Sequence, residues 1–244
     1  MTKRSRLAFS IVAGIVLLAC ACPAASLPAI DQPTDTAVPE TPTPPEIPTP
    51  TSQPSNILFS DNFSIESSEL ETYSDASGSV ETKDGAYVVR STSDLWNWGR
   101  SDSEFSDTVI EFDETIAIGP TNNNAAAGVI CRMQTRDDNS IDGYLLAISS
   151  DGFYSIRSIS SSSMDSLVDW TSSDTINQGN QANKIRATCS GSELKLEVNG
   201  ETLATASAPA DGPQSGGFGF AAVSFETNDP VAEAHFDNLV ISKP

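Results

Sequence analysis

The stretch Gly128–Ile156, GVICRMQTRDDNSIDGYLLAISSDGFYSI, decides the fold. It reads as three successive β-strands. GVICRM is followed by the polar loop QTRDDNSID, then GYLLAIS, the tight turn SDG, and a third run beginning FYSI. Apolar and β-branched residues fill the runs, and Asp, Asn, Ser and Gly gather at the breaks, where the chain must turn. Both faces of each run carry apolar side chains, as expected of strands in the middle of a sandwich.

Outward from this centre the same pattern repeats. ILFSDNF, SVETK, AYVVRS, LWNW, DTVIEFDETIAI and AAGVICRM precede or enter it, and SLVDW, NKIRATC, ELKLEVN, ETLATAS, GFGFAAVSF and AEAHFDNLVIS follow. Turn residues separate these runs at intervals of roughly ten residues, and none shows capped helical periodicity. The serine-rich segment Ser158–Ser163 reads as a loop. Asn199-Gly200 and Asp151-Gly152 each sit between two runs and favour positive φ, which predicts two hairpins. The fold class is therefore all-β: a two-sheet antiparallel β-sandwich of jelly-roll type.

Ahead of this domain the chain has a different character. MTKRSRLAFSIVAGIVLLAC carries three basic residues and then an apolar run shorter than the roughly 18 residues of a membrane span. Leu17-Leu18-Ala19-Cys20 resembles the bacterial lipobox, in which the cysteine is diacylated and becomes the new N-terminus. Residues 1–19 are expected to be the lipoprotein signal and Cys20 the lipidation site. The alternative is an ordinary secretory signal cleaved near Ala25. Residues 20–56 are rich in Pro and Thr and without aromatic residues. They cannot offset the entropy of ordering, so they read as a disordered spacer with a reach on the order of 100 Å at about 3.1 Å per residue. The sandwich occupies 57–244. Removing residues 1–19 leaves 13 − 3 = 10 basic residues against 33 acidic ones, a formal charge of −23. That surface excludes nucleic acid as a partner. It suits a monomer held by its lipid outside the cytoplasm of a bacterium.

The runs GVICR, GYLLAIS-DGFYSI, LVDW, NKIRATCSGSELKLEVNGETLA, GGFGF and FDNLVI together resemble the concanavalin A-like, laminin G-like jelly rolls of bacterial surface proteins. They are similar in particular to domains related to the 3-keto-disaccharide hydrolase family. The resemblance covers the whole folded part. It implies either a carbohydrate- or protein-recognising module or a glycoside-processing enzyme, because this fold hosts both, as well as inert spacers.

Candidate chemistry is sparse. Cys131 and Cys189 both fall on apolar strand faces in a chain bound for an oxidising compartment. They are expected to form a disulfide, cross-strand if their strands are neighbours; the alternative is two separate buried thiols. Glu111 and Asp113 match two positions of the three-carboxylate strand of laminarinase-type glycosidases. Ile116 occupies the third, so they read as a solvated acidic face. His235 is the sole histidine and no Gly-x-Ser-x-Gly elbow accompanies it, so it reads as structural. One structural Ca²⁺ is the cofactor such sandwiches can hold, with Asp61 and Asp237 as its carboxylates; the alternative is that these side chains cap turns. A ligand-binding set is drawn from Trp96, Trp98, Arg132, Tyr144, Arg157 and Arg186, with Trp170 and Tyr154 as further aromatic rings. Trp96 and Trp98 share a face, and the three arginines fall opposite Cys131, Ile156 and Cys189. They either line a sheet face that recognises a ligand or neutralise acidic neighbours.

Overall fold

A computed structural model describes residues 56–67, 69–161 and 163–244. The expectations for the signal segment, for lipidation at Cys20 and for the linker up to residue 55 lie outside the described residues. Every regular element described is a strand, and the strands form two antiparallel sheets. The larger sheet comprises β1 (Ile57–Asp61), β2 (Tyr73–Ser74), β3 (Gly78–Lys83), β4 (Ala86–Ser91), β6 (Thr108–Ile118), β11 (Asn183–Ser190), β12 (Glu193–Val198), β13 (Glu201–Ser207) and β15 (Ala232–Ser242). Its order is β13-β12-β11-β6-β15-β4-β3-β2, with β1 also pairing β15. The smaller sheet comprises β5 (Asn97–Arg100), β7 (Ala125–Thr135), β8 (Ile141–Ser149), β9 (Phe153–Ser161), β10 (Ser163–Ser172) and β14 (Gly217–Ser224), in the order β10-β9-β8-β7-β14-β5.

The sheets pack face to face because their strands alternate. From the larger sheet Val89, Ile110, Phe112, Ile185, Leu196 and Phe236 point inward. They meet Val129, Leu146, Ile148, Ile156, Phe218 and Phe220 of the smaller one. Phe220 and Phe236 stack across the interface at 4.2 Å between ring centroids, and Phe112 meets Phe220 edge to face with centroids 5.1 Å apart. Burial of these rings is the main term holding the sheets together. The turn at Asn199-Gly200 has both residues at positive φ (51° and 90°), as a two-residue hairpin requires.

Two expectations change. The serine run Ser158–Ser163 is not a loop: β9 extends to Ser161, and β10 begins at Ser163, paired with Ser160. Serines suffice there because β10 is an edge strand whose side chains are largely exposed. Cys131 and Cys189 are disulfide-bonded, with Cα atoms 6.7 Å apart, but the bridge is not between adjacent strands. β7 lies in the smaller sheet and β11 in the larger, so the bond spans the core and ties the two sheets to each other.

Candidate functional site

The smaller sheet is buried on both faces. Its inner residues join the main core, whereas Ile130, Met133, Ile141, Leu145, Ala147, Ile159 and Ala221 form a separate apolar cluster on its outer face. Trp96, Trp98, Met164 and Trp170 pack over that second cluster. Cross-strand register explains the shape. Trp98 pairs with Ala221, Ala221 with Gly128, Gly128 with Ala147, and Ala147 with Ser155. A floor of small residues thus runs across the sheet, with Trp98 at one side and Trp170 beyond Ser155 at the other. Indole rings can lie on such a floor where larger side chains would lift them away.

At one end of this face the loops add a cleft of about 360 Å³ lined by Asn124, Ser149, Asp151, Phe153, Trp170 and Phe225. Phe225 is 38% exposed and stands edge-on to both neighbours, 5.8 Å from Trp170 and 6.0 Å from Trp96. The register brings these residues together because β14 ends, β7 begins, and β8 turns into β9, all at the same end of the sheet. Polar bonds stiffen the rim. The Asn124 carbonyl accepts from the Phe225 N–H at 3.0 Å, Asn122 and Asn124 side-chain amides donate to Glu226, and the Ser149 hydroxyl donates to Asp151. These two amide bonds also hold the Glu226 carboxyl below its usual pKa. Beside the cleft, the Arg157 guanidinium lies 5.9 Å above the Trp170 ring, a cation–π arrangement. The face therefore offers flat aromatic surface, a carboxylate, an amide, a hydroxyl and a cation.

The sequence-selected residues divide. Trp96, Trp98 and Arg157 occupy this outer face, as alternation predicts. Tyr144 does not: it is fully buried in the main core, and its hydroxyl has no hydrogen-bond partner among the described residues. Arg132 departs for a different reason. Pairing between β7 and β8 shifts after Cys131, and Arg132 takes a left-handed φ of 50°, so this bulge reverses the expected side. Its buried guanidinium donates to the Ser106 carbonyl at 3.0 Å, the Gly191 carbonyl at 2.9 Å and Asp107 at 3.0 Å, clamping β7 to the end of the opposite sheet. Arg186 lies on the larger sheet and pairs with Glu111 and Glu197. Trp170 and Phe225 complete the site; Trp170 carried a sequence signal in its aromatic ring, but Phe225 looked like the end of a strand.

The remaining candidates have structural partners. Asp113 holds Lys184 at 2.8 Å and accepts from Asn238, and His235 contacts Glu233 at 2.9 Å. Asp61 accepts the Phe63 N–H, two residues on, at 2.7 Å, and Asp237, at the bulge inside β15, accepts the Asn238 N–H at 2.6 Å. Among the described residues no group of three or more His, Cys, Asp or Glu is placed to hold a metal ion.

No protein-family model matches the chain, and no curated protein matches it. Solved structures do. A carbohydrate-binding module, CBM66 from Bacillus subtilis, is similar at 18% identity with a TM-score of 0.51, over 64% of this chain and 86% of that one. A Bacillus subtilis protein of unknown function with a galectin-like fold is similar at 10% identity with a TM-score of 0.53, over 77% of this chain and 96% of that one. At such identities the likeness establishes the fold, a concanavalin A-like β-sandwich.

Proposed function

We propose that this chain is a carbohydrate-binding module, non-catalytic and held at the outside of a bacterial membrane by a lipid on Cys20, which recognises glycan on the outer face of its smaller sheet. One observation carries the reading: Trp96, Trp98 and Trp170 gather on a single face beside a cleft with polar groups, although their side chains could have been spent in the core. Sugar rings stack on flat aromatic surfaces through their C–H faces, and their hydroxyls donate to nearby carboxylates and exchange hydrogen bonds with amide and hydroxyl groups. Asp151, Asn124 and Ser149 are the groups available here. The carbohydrate-binding function of the CBM66 module supports the reading by analogy of fold.

A catalytic reading has less behind it. Glycoside hydrolysis in its usual form takes two carboxyl groups flanking the scissile bond, and Asp151 is the one carboxylate lining the cleft among the described residues. Hydrolysis of the 3-keto-disaccharide type is therefore the second choice.

Binding of the full chain to a panel of oligosaccharides tests the proposal. Trp170→Ala and Trp96→Ala are expected to weaken binding about tenfold or more while the far-ultraviolet circular dichroism stays that of the parent. Absence of binding across the panel, or variants that bind as the parent does, overturns it.

A further inference from the structure

We propose that the glycan is acidic and that Arg157 reads a uronate carboxylate on it. The proposal rests on the carbohydrate reading above and adds a ligand class to it. Its basis is the pairing of the arginines. Arg90 pairs with Glu233, Arg100 with Glu71, Arg132 with Asp107, Arg136 with Asp142, and Arg186 with Glu111 and Glu197. Arg157 pairs with no carboxylate among the described residues and has no side-chain hydrogen bond there; its contact is the Trp170 ring. The chain carries 33 acidic and 13 basic residues, so a carboxylate partner is the common fate of a cation on this surface. Among the described arginines the exception stands on the aromatic face.

Chemistry then narrows the ligand. The guanidinium is a planar fork of five N–H donors, matched to the two coplanar oxygens of a carboxylate. Contact with the indole fixes its position in advance and leaves its N–H edges for a ligand, which reduces the ordering cost of binding. Cross-strand neighbours add no competing charge, since Arg157 lies opposite Leu145 on β8 and Ser166 on β10.

The site also has a direction. The Arg157 backbone is four residues of β9 from Phe153, about 13 Å at roughly 3.3 Å per residue, and its guanidinium stands 5.9 Å from the Trp170 ring at the edge of the cleft, so adjoining sugar units reach both. Asp151 lies at the cleft end and repels an acidic substituent there, while accepting from hydroxyls. The structure thus assigns the acidic unit to the Arg157 end and a hydroxyl-bearing unit to the cleft. The negative charge of the whole protein does not prevent this, because at physiological salt it is screened beyond about 8 Å, whereas contact with Arg157 is made inside that distance.

The test uses the full chain with uronic-acid oligosaccharides, galacturonate, glucuronate and mannuronate among them, each beside its methyl ester. Acid and ester share ring and hydroxyl pattern and differ in charge. At least one acid is expected to bind about tenfold or more tighter than its ester. Arg157→Gln should bring that acid down to the level of the ester without changing the ester, and Trp170→Ala should weaken both. Equal binding of acid and ester, or preference for neutral sugars, overturns the role of Arg157 and leaves the carbohydrate reading standing. Binding of no sugar, acidic or neutral, overturns both.

Discussion

Glu114 is the residue whose setting most opposes its chemistry. It lies inward on β6 between Phe112 and Ile116, is 1% exposed, and neither carboxyl oxygen has a hydrogen-bond partner among the described residues. Burial pushes its pKa up from 4.5 to about 8, so near neutrality the side chain is protonated and uncharged in the folded state. In the unfolded chain it ionises at the ordinary value. The folded state therefore holds the extra proton between these two values, and stability falls as pH rises from about 4.5 to about 8. At about 1.4 kcal/mol per pKa unit the loss is on the order of 5 kcal/mol. Calorimetric melting at pH 5 and pH 8 should show it, and Glu114→Gln should flatten the difference. Arg132 makes the opposite case, a buried charge with its donors engaged. Arg132→Ala removes three hydrogen bonds from the buried guanidinium, while half-exposed Asp107 keeps the Gly191 N–H, and urea unfolding is expected to show a loss of about 3 kcal/mol at roughly 1 kcal/mol per bond. Neither setting is legible in the sequence. Strict alternation puts Arg132 on the outer face, and a one-residue bulge undoes that; alternation puts Glu114 inside, where composition alone argues against it.

At the scale of the strands, most of the architecture is local and can be read. Apolar runs and turn dipeptides mark the strands from β3 to β15, while the two-residue β2 is too short to leave a pattern. Which sheet a strand joins is a long-range matter, and that is why the disulfide resists a sequence assignment of its type. The inner alternation of β7 and β11 predicts that both sulfurs are buried, whether the strands are side by side or face to face. The observed bridge encloses a 58-residue separation. Loop-closure entropy for such a length gives about 4 kcal/mol. Thermal melting of the full chain with and without reductant should differ accordingly, and Cys131→Ala/Cys189→Ala should match the reduced form. The double-sided apolar character of β7 and β8 has likewise two possible causes, another protein layer or a cover of their own side chains. The structure has the second, a tryptophan cover, and Phe225 is its exposed edge.

Across the whole molecule, charge acts over distances longer than any one contact. A formal charge of −20 destabilises a compact state through self-repulsion, and salt screens it. The melting temperature is expected to rise by a few degrees between low salt and about 0.3 M NaCl; a flat response would show that the local ion pairs already neutralise the field. The aromatic face and the first strand lie on opposite sheets, since β1 pairs β15 in the larger one and the tryptophans cover the smaller. That arrangement has a mechanical consequence. If the chain is fixed at its N-terminal side and binds glycan on the aromatic face, as proposed, a pull on the glycan enters at β8–β10 and passes into β7. From there it reaches β11, β6, β15 and finally β1 either around the loops that join the sheets, as between β6 and β7 and between β10 and β11, or straight across the interior. Apolar contact between sheets resists sliding only weakly, whereas the Cys131–Cys189 bond makes the crossing covalent. The bridge sits where such a pull would otherwise peel the two sheets apart.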